Sequence, residues 1–177
     1  APGMRVLVNG GAGGVGHCAV QYAHHLGAHV TATCGPDNVA FVRELGADEV
    51  LDYTREDYAA ATVPFDVIFD TTGHASWRAC RHVLAPDGVY VNTSPDAASV
   101  VTTLAEKVAA RLAGRQRVVA FVLKPRAEAW RRLATLAEAS AIVPHVRATI
   151  GLADVADAER TLATGHRRGK IVVLPSR

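Results

Sequence analysis

The sequence predicts an α/β fold: a doubly wound parallel sheet with helices on both faces, in three α/β/α layers. Three observations predict it. Strand-like and helix-like segments alternate almost to the end of the chain, the order that encloses a parallel sheet between two layers of helices. The first of these segments form a strand, a glycine-rich turn, a helix and a second strand, a βαβ unit of about 30 residues. The 177 residues are 49% hydrophobic but only 6% aromatic, which suits one ordinary domain whose small side chains let helices pack closely on a sheet.

Each element has its own signal. Met4 to Val8 is apolar apart from Arg5 and carries two valines, as a buried parallel strand does. Val15, Ala19, Val20, Ala23 and Leu26 recur at helical spacing, and Gly27 stands where a C-terminal cap belongs. His29 to Cys34 is a strand rich in β-branched residues. A helix over Asp37 to Leu45 starts near Pro36-Asp37 and is closed by Gly46. A short strand Glu49 to Leu51 and a short helix Arg55 to Ala61 follow. Phe65 to Phe69 is a buried strand ending at Asp70-Thr71-Thr72-Gly73, and Ser76 to Leu84 is a helix stopped by Pro86-Asp87-Gly88. Val89 to Asn92 is a strand, Val100 to Leu112 has a helical period, and Arg117 to Leu123 is an apolar strand. The remainder is a helix Glu128 to Ser140, an extended piece Arg147 to Ile150, a helix Asp154 to Thr164 and a last strand Lys170 to Leu174. There is no internal repeat or linker, so residues 1–177 are read as one domain.

The turn after the first strand carries the chemistry. Gly11, Gly13 and Gly16 have the G-x-G-x-x-G spacing of a dinucleotide-binding (Rossmann) turn. The first glycine permits the tight turn, the second lets a pyrophosphate approach the backbone, and the third lets helix and strand pack closely. The free N–H groups and positive dipole end of the next helix then face the phosphates. Ligands of such sheets lie beyond the carboxyl ends of the strands. The candidate site is therefore the loops 10–16, 34–38, 70–74, 92–96 and 123–126.

The second strand bears on the choice of dinucleotide. A carboxylate at its end binds both ribose hydroxyls of NAD and repels a 2′-phosphate. Here the strand ends Ala32-Thr33-Cys34-Gly35-Pro36, with Gly35 near the ~20-residue offset of that acid. This favours NADP. Asp37 points the other way unless it caps the next helix. Asn38, Arg43 and Tyr53 are candidate phosphate partners, and Tyr53 could equally be a packing residue.

Other classes are disfavoured. A net charge of +2 argues for neither nucleic acid nor membrane as partner, and no apolar run approaches a membrane span. Cys18, Cys34 and Cys80 form neither a disulfide framework nor a metal cluster, which points to a reducing cytoplasm and no zinc. Ser76, Ser94 and Ser99 have no recognisable base partner. His24 and His25 read as surface or packing residues. His17 either approaches a phosphate or faces solvent, and Asp70 reads as a cap for its loop rather than an acid–base group.

The chain resembles the cofactor-binding domain of medium-chain dehydrogenases/reductases, in the zinc-independent quinone oxidoreductase (zeta-crystallin-like) branch. The resemblance runs from Pro2 to Pro175. It is carried by 5–16, Ala19-Val20-Gln21, 45–50, Asp52-Tyr53, 65–70 and the terminal Gly169-Lys170-Ile171-Val172-Val173. It implies an NADPH-dependent reductase of quinones or of the double bond of α,β-unsaturated carbonyl compounds. It implies that Ala12, Gly13, Gly14, Val15 and Gly16 border the pyrophosphate, and that Gly35, Asn38 and Tyr53 surround the 2′-phosphate. Thr71 would lie near the adenosine, Asn92 to Ser94 along the groove, and Phe121 to Leu123 at the nicotinamide carboxamide. Some relatives carry a lysine where Asn38 stands. The resemblance also implies an N-terminal GroES-like domain that this chain does not contain, and a homodimer paired through the Arg117 to Leu123 edge. No catalytic residue is identified, because in hydride transfer the cofactor carries the reactive atom. Two rivals are a non-catalytic nucleotide-binding or structural module of a multidomain synthase and an S-adenosylmethionine methyltransferase. The Gly-Lys-Ile-Val-Val ending and the missing acid after the second strand count against the latter.

Overall fold

A computed structural model of the chain describes residues 1–93, 105–111, 114–120, 126–163 and 168–175. Six parallel strands form the main sheet: β1 (Arg5–Asn9), β2 (His29–Cys34), β3 (Glu49–Asp52), β4 (Phe65–Asp70), β5 (Leu84–Asn92) and β6 (Arg117–Ala120). Their spatial order is β3-β2-β1-β4-β5-β6. The order reverses between β1 and β4, so a crevice opens above the carboxyl end of β1, where such sheets hold ligands.

Both faces of the sheet are covered, as the continuous apolar strands require. Adjacent residues of β1 show this directly. Leu7 packs with Phe65, Ile68, Trp77, Cys80 and Tyr90, whereas Val8 packs with Val20, Val30, Ala32, Phe41 and Val42. The second cluster is roofed by α1 (Gly16–His25) and α2 (Val39–Glu44). The first is covered by α3 (Trp77–Cys80) and the helical residues 105–111, here α4. Gly27 and Gly46 end α1 and α2 with positive φ, as their cap positions require.

Two expected helices differ from the structure. The helix expected over Arg55 to Ala61 is a turn followed by one 3₁₀ turn, Tyr58–Ala60, capped by the Asp57 carboxylate. The segment holds too few residues to repay helix nucleation. The helix expected over Ser76 to Leu84 is the single turn α3, because Leu84 already starts β5. The Pro86-Asp87-Gly88 stop lies inside that strand, at a register shift against β4. Gln116 holds the irregular stretch by donating its amide to the Leu84 and Ala85 carbonyls.

The C-terminal strand does not join the main sheet. Among the described residues β7 (Val146–Gly151) and β8 (Lys170–Leu174) pair in parallel with each other and with no other strand. They are linked through α6 (Val155–Ala163) and follow α5 (Ala127–Glu138). Val146, Val172, Val173 and Leu174 of this pair are exposed, as are Trp130 and Leu133 of α5.

Candidate functional site

The crevice is built from the carboxyl ends of β1, β2, β4 and β5. Asn9, Asp70 and Asn92 stand side by side in register. Asp70, fully buried, accepts the Asn9 amide at 2.9 Å and the Thr72 N–H and hydroxyl at 3.0 and 2.8 Å. The Tyr90 hydroxyl lies 3.2 Å from its other oxygen and donates more closely to the Ala75 carbonyl. With its acceptor sites filled by Asn9, Thr72 and Tyr90, Asp70 is a structural knot. Burial, with the Asp70 charge beside it, pushes the Tyr90 hydroxyl pKa well up. The Thr33 hydroxyl donates to Asn9 Oδ1 and accepts the Gly10 N–H, so the start of the turn is tied to β2.

The glycines divide their work differently from the spacing argument. The left-handed residue is Gly10, at φ +88°, and Gly11 is not. A Cβ on Gly10 would lie 2.6 Å from the Thr71 hydroxyl oxygen. Gly11 is needed for close packing, since its Cβ would meet Ala32 Cβ at 2.9 Å. The Gly16 role is as expected: a Cβ there would lie 2.8 Å from the Gly10 carbonyl carbon and 2.9 Å from Gly11 Cα. Gly13 and Gly14 are the open positions, with nothing nearer than 3.4 and 3.5 Å.

Three successive carbonyls of the turn are held by protein donors. Ala12 O accepts the Gly169 N–H at 2.9 Å. Gly13 O accepts His17 Nδ1 at 2.8 Å and the His17 N–H at 3.1 Å. Gly14 O accepts the Lys170 ammonium at 2.7 Å. Among the described residues no peptide bond is cis, and across a trans peptide the C=O and the next N–H point opposite ways. The Gly14 and Val15 N–H groups are therefore aimed away from these donors. They sit at the N-terminus of a ten-residue helix, a geometry suited to an anion.

His17 neither faces solvent nor lines the turn's open side. It is fully buried, and its Nε2 accepts the His145 N–H at 3.1 Å. Burial holds its pKa below the ordinary value, aided by the Lys170 and His145 charges and opposed by the Gly13 carbonyl. Cys18, half-buried, lies with its sulfur 3.4 Å from the same Nε2.

On the side that the resemblance assigns to the adenosine, the structure brings Gly35 and Tyr53 together: a Cβ on Gly35 would lie 3.1 Å from the Tyr53 hydroxyl. Tyr53 is 62% exposed, so it is no packing residue. Asn38 is half-buried in the 3₁₀ turn Pro36–Asn38 that follows. Register places Asp52 beside Cys34, so a carboxylate stands one strand over from the position read as lacking one. Its Oδ1 accepts the Thr54 N–H and hydroxyl, which hold its pKa below the usual carboxylate range. Burial and the Asp52 charge push the Cys34 thiol up to about 11, so it stays neutral. Arg55 lies 3.9 Å from Asp52 with its side chain exposed, a cation the motif reading passed over. Thr71 donates to the Asn9 carbonyl at 2.8 Å and braces the turn. Asn92 is buried at the end of β5. Ser94, Phe121, Leu123 and Ser99 lie outside the described residues.

Among the described residues no group of three or more His, Cys, Asp or Glu is placed to hold a metal ion. Among them, too, no helix is long and apolar enough to cross a membrane.

Residues 45–173 match the family described as zinc-binding dehydrogenase. The chain is 33% identical over 174 residues to a chloroplast envelope quinone oxidoreductase homolog of Arabidopsis thaliana, covering 96% of this chain and 52% of that protein. It is 30% identical over 177 residues to a chloroplastic NADPH-dependent alkenal/one oxidoreductase of the same plant, covering 98% of this chain and 41% of that protein. The solved quinone oxidoreductase from Coxiella burnetii superposes with a TM-score of 0.85 at 28% identity, over 97% of this chain and 53% of that one. The chain spans about half the length of the relatives it matches.

Proposed function

The chain belongs to the zinc-binding dehydrogenase family, as a cofactor-binding domain of the medium-chain dehydrogenases/reductases, and on that premise we propose that it holds NADPH for an oxidoreductase that reduces quinones or α,β-unsaturated carbonyl compounds. The observation that carries this reading is the turn itself. Three pinned carbonyls, two open glycines and a helix N-terminus together form a cradle for a pyrophosphate.

The bound nicotinamide supplies the hydride. This chain binds and orients the cofactor. The Gly14 and Val15 N–H groups take the pyrophosphate along the flank that Gly13 and Gly14 leave open. Lys170 adds a positive charge at the same turn. Gly35, Asn38 and the Tyr53 hydroxyl bound the 2′-phosphate, with exposed Arg55 in the turn after β3, and Arg43 in the last turn of α2, as the candidate cations to offset its charge. Thr71 and Asp70 keep the first residues of the turn in place. By the resemblance, Ser94 would line the cofactor groove and Phe121 and Leu123 would hold the nicotinamide carboxamide.

The names of the two plant relatives support a quinone and an enone substrate, and one of them supports NADPH. The β7–β8 pair offers exposed Val146, Val172, Val173 and Leu174 as the seat of a GroES-like domain that completes the substrate pocket. β6 is the last strand on its side of the described sheet, with Val119 40% exposed, and we assign it to pairing with a second copy. Three free cysteines fit a reducing compartment such as the cytoplasm.

Calorimetric titration with NADPH and, separately, NADH tests the reading. Tighter NADPH binding is expected. Equal or tighter NADH binding overturns the 2′-phosphate pocket, and binding of neither overturns the cofactor assignment.

A further inference from the structure

His17 occupies a position that no cofactor motif explains. It is fully buried between the glycine turn and the loop that leads into β7, and both ring nitrogens are engaged. The partners fix its tautomer. A backbone carbonyl only accepts and a backbone N–H only donates. Nδ1, 2.8 Å from Gly13 O, therefore carries the proton, and Nε2, 3.1 Å from the His145 nitrogen, is bare.

We propose that His17 is a positioning residue for the cofactor turn: its neutral, Nδ1-protonated ring ties the Gly13 carbonyl to the loop before β7, and nucleotide affinity falls when that ring is protonated or removed. The second half rests on the proposed cofactor assignment.

Holding the Gly13 carbonyl inward is what aims the Gly14 N–H outward, because the two belong to one peptide plane. If that plane turned over, the carbonyl oxygen would face a phosphate. Protonating the ring puts a second N–H against the His145 N–H and leaves that donor without its acceptor. The titratable groups facing the ring are Cys18 from α1, His145 from the loop before β7 and Lys170 from β8. Two of these are basic and Cys18 is a thiol, so none offers a negative charge to an imidazolium at neutral pH. Arg168, stacked 4.2 Å over Phe41, which itself packs on the His145 ring, adds further positive charge behind that contact.

The test has two stages on the full chain. Long-range ¹H–¹⁵N spectra of ¹⁵N-histidine protein without ligand, at about pH 7.5, report the tautomer. A protonated Nδ1 and bare Nε2 are expected, and the opposite tautomer overturns the positioning role whatever the chain binds. NADP⁺ is then titrated into wild type and His17→Phe at about pH 7.5 and about pH 5.5. The variant is expected to bind about tenfold more weakly at the higher pH, the size of one well-made hydrogen bond. Wild type is expected to lose more affinity than the variant on acidification. The 2′-phosphate titrates equally in both, so the difference isolates His17. Equal affinities at the higher pH, or equal acid losses, overturn the inference. His17→Gln keeps a donor and an acceptor and does not titrate. It is expected to bind within about threefold of wild type at the higher pH, without wild type's extra acid loss, and it serves if the Phe variant does not fold. Failure of wild type to bind NADP⁺, with the expected tautomer seen, overturns the cofactor assignment and leaves the holding of the turn intact.

Discussion

Alanine at Gly16 and alanine at Gly13 separate the two jobs of the glycine turn. At Gly16 the new methyl would sit 2.8 Å from the Gly10 carbonyl carbon and 2.9 Å from Gly11 Cα, against an optimum of about 3.5–4.0 Å for a carbon pair. These obstacles, and the Gly10 carbonyl oxygen that stands nearer still, are all backbone, so the turn must open by at least roughly 0.7 Å. It is closed by the Gly13 N–H to Gly10 carbonyl bond and braced by Thr71. Overpacking of this kind costs about 1–3 kcal/mol, and a weakened turn bond about 1 kcal/mol more. Alanine's better helix propensity returns about 1 kcal/mol. The net is a loss of roughly 1–3 kcal/mol, lowering Tm by roughly 2–12 °C for a chain of this size. At Gly13 the methyl meets only the Gly10 carbonyl oxygen, at an ordinary 3.4 Å. Stability should hold or rise by about 0.4–1 kcal/mol, because the unfolded chain loses freedom. The same methyl projects into the flank assigned to the pyrophosphate, so NADPH affinity should fall about tenfold or more, at ~1.4 kcal/mol per decade. Thermal melts by circular dichroism and NADPH calorimetry on both variants read the two effects. A Gly16→Ala chain melting at or above wild type refutes the close-approach argument. A Gly13→Ala chain binding NADPH as wild type does refutes the placement of the phosphate.

Arg55→Ala should weaken NADPH about threefold while leaving NADH unchanged, since an exposed cation acts on the 2′-phosphate through solvent; parallel calorimetry checks it. Leu7→Ala removes a fully buried side chain from the face shared with Phe65 and Tyr90 and should cost about 2–5 kcal/mol in urea unfolding. The folded-state pKa of His17 is lowered, chiefly by burial, so the unfolded chain binds more protons in acid. Its contribution to stability is complete above its ordinary pKa of about 6.5 and declines as pH falls from there toward the folded value. Urea midpoints across that range should show the decline in wild type and a shallower one in His17→Phe. Val119→Lys on the edge strand should yield a monomer where wild type is a dimer by light scattering, and a wild-type monomer would exclude the pairing assigned to β6.

The strands of the sheet were legible because each is a local signal. Apolar runs bounded by glycine and proline place β1, β2, β3 and β4 to within a residue or two. The misread pieces are those where a tertiary contact outweighs local propensity. Leu84 joins β5 because its side chain belongs to the Leu7 core, although it ends a helical pattern. Gly10 shows the same limit at the site. In a run holding Gly10, Gly11, Gly13, Gly14 and Gly16 the motif spacing selects Gly11, Gly13 and Gly16 and passes over Gly10. Which glycine takes positive φ is settled by Thr71, far along the chain, leaving no room for a Cβ on Gly10. Asp52 beside Cys34 was equally hidden, since only strand register brings a carboxylate of β3 to the end of β2.

The C-terminal segment illustrates why a cofactor turn cannot be read from its own residues alone. In the sequence Gly169-Lys170 opens the last strand and the family's ending, with nothing to tie it to the glycine turn. In the fold its N–H and ammonium hold the Ala12 and Gly14 carbonyls, while His145 engages the histidine that holds the Gly13 carbonyl between them. A carbonyl left free at any of the three could turn toward an incoming phosphate and repel it. Among the described residues β7 and β8 lie outside the main sheet, yet Gly169, Lys170 and, through His17, His145 fix three consecutive peptide planes of the first loop. Their backbone contacts to that loop therefore do more for an anion site than the small area they cover would suggest. The position of Gly169 supports this: it takes φ +59° and packs against the His145 backbone. A side chain there would push β8 off the turn, moving the Lys170 donor and the Gly169 N–H together.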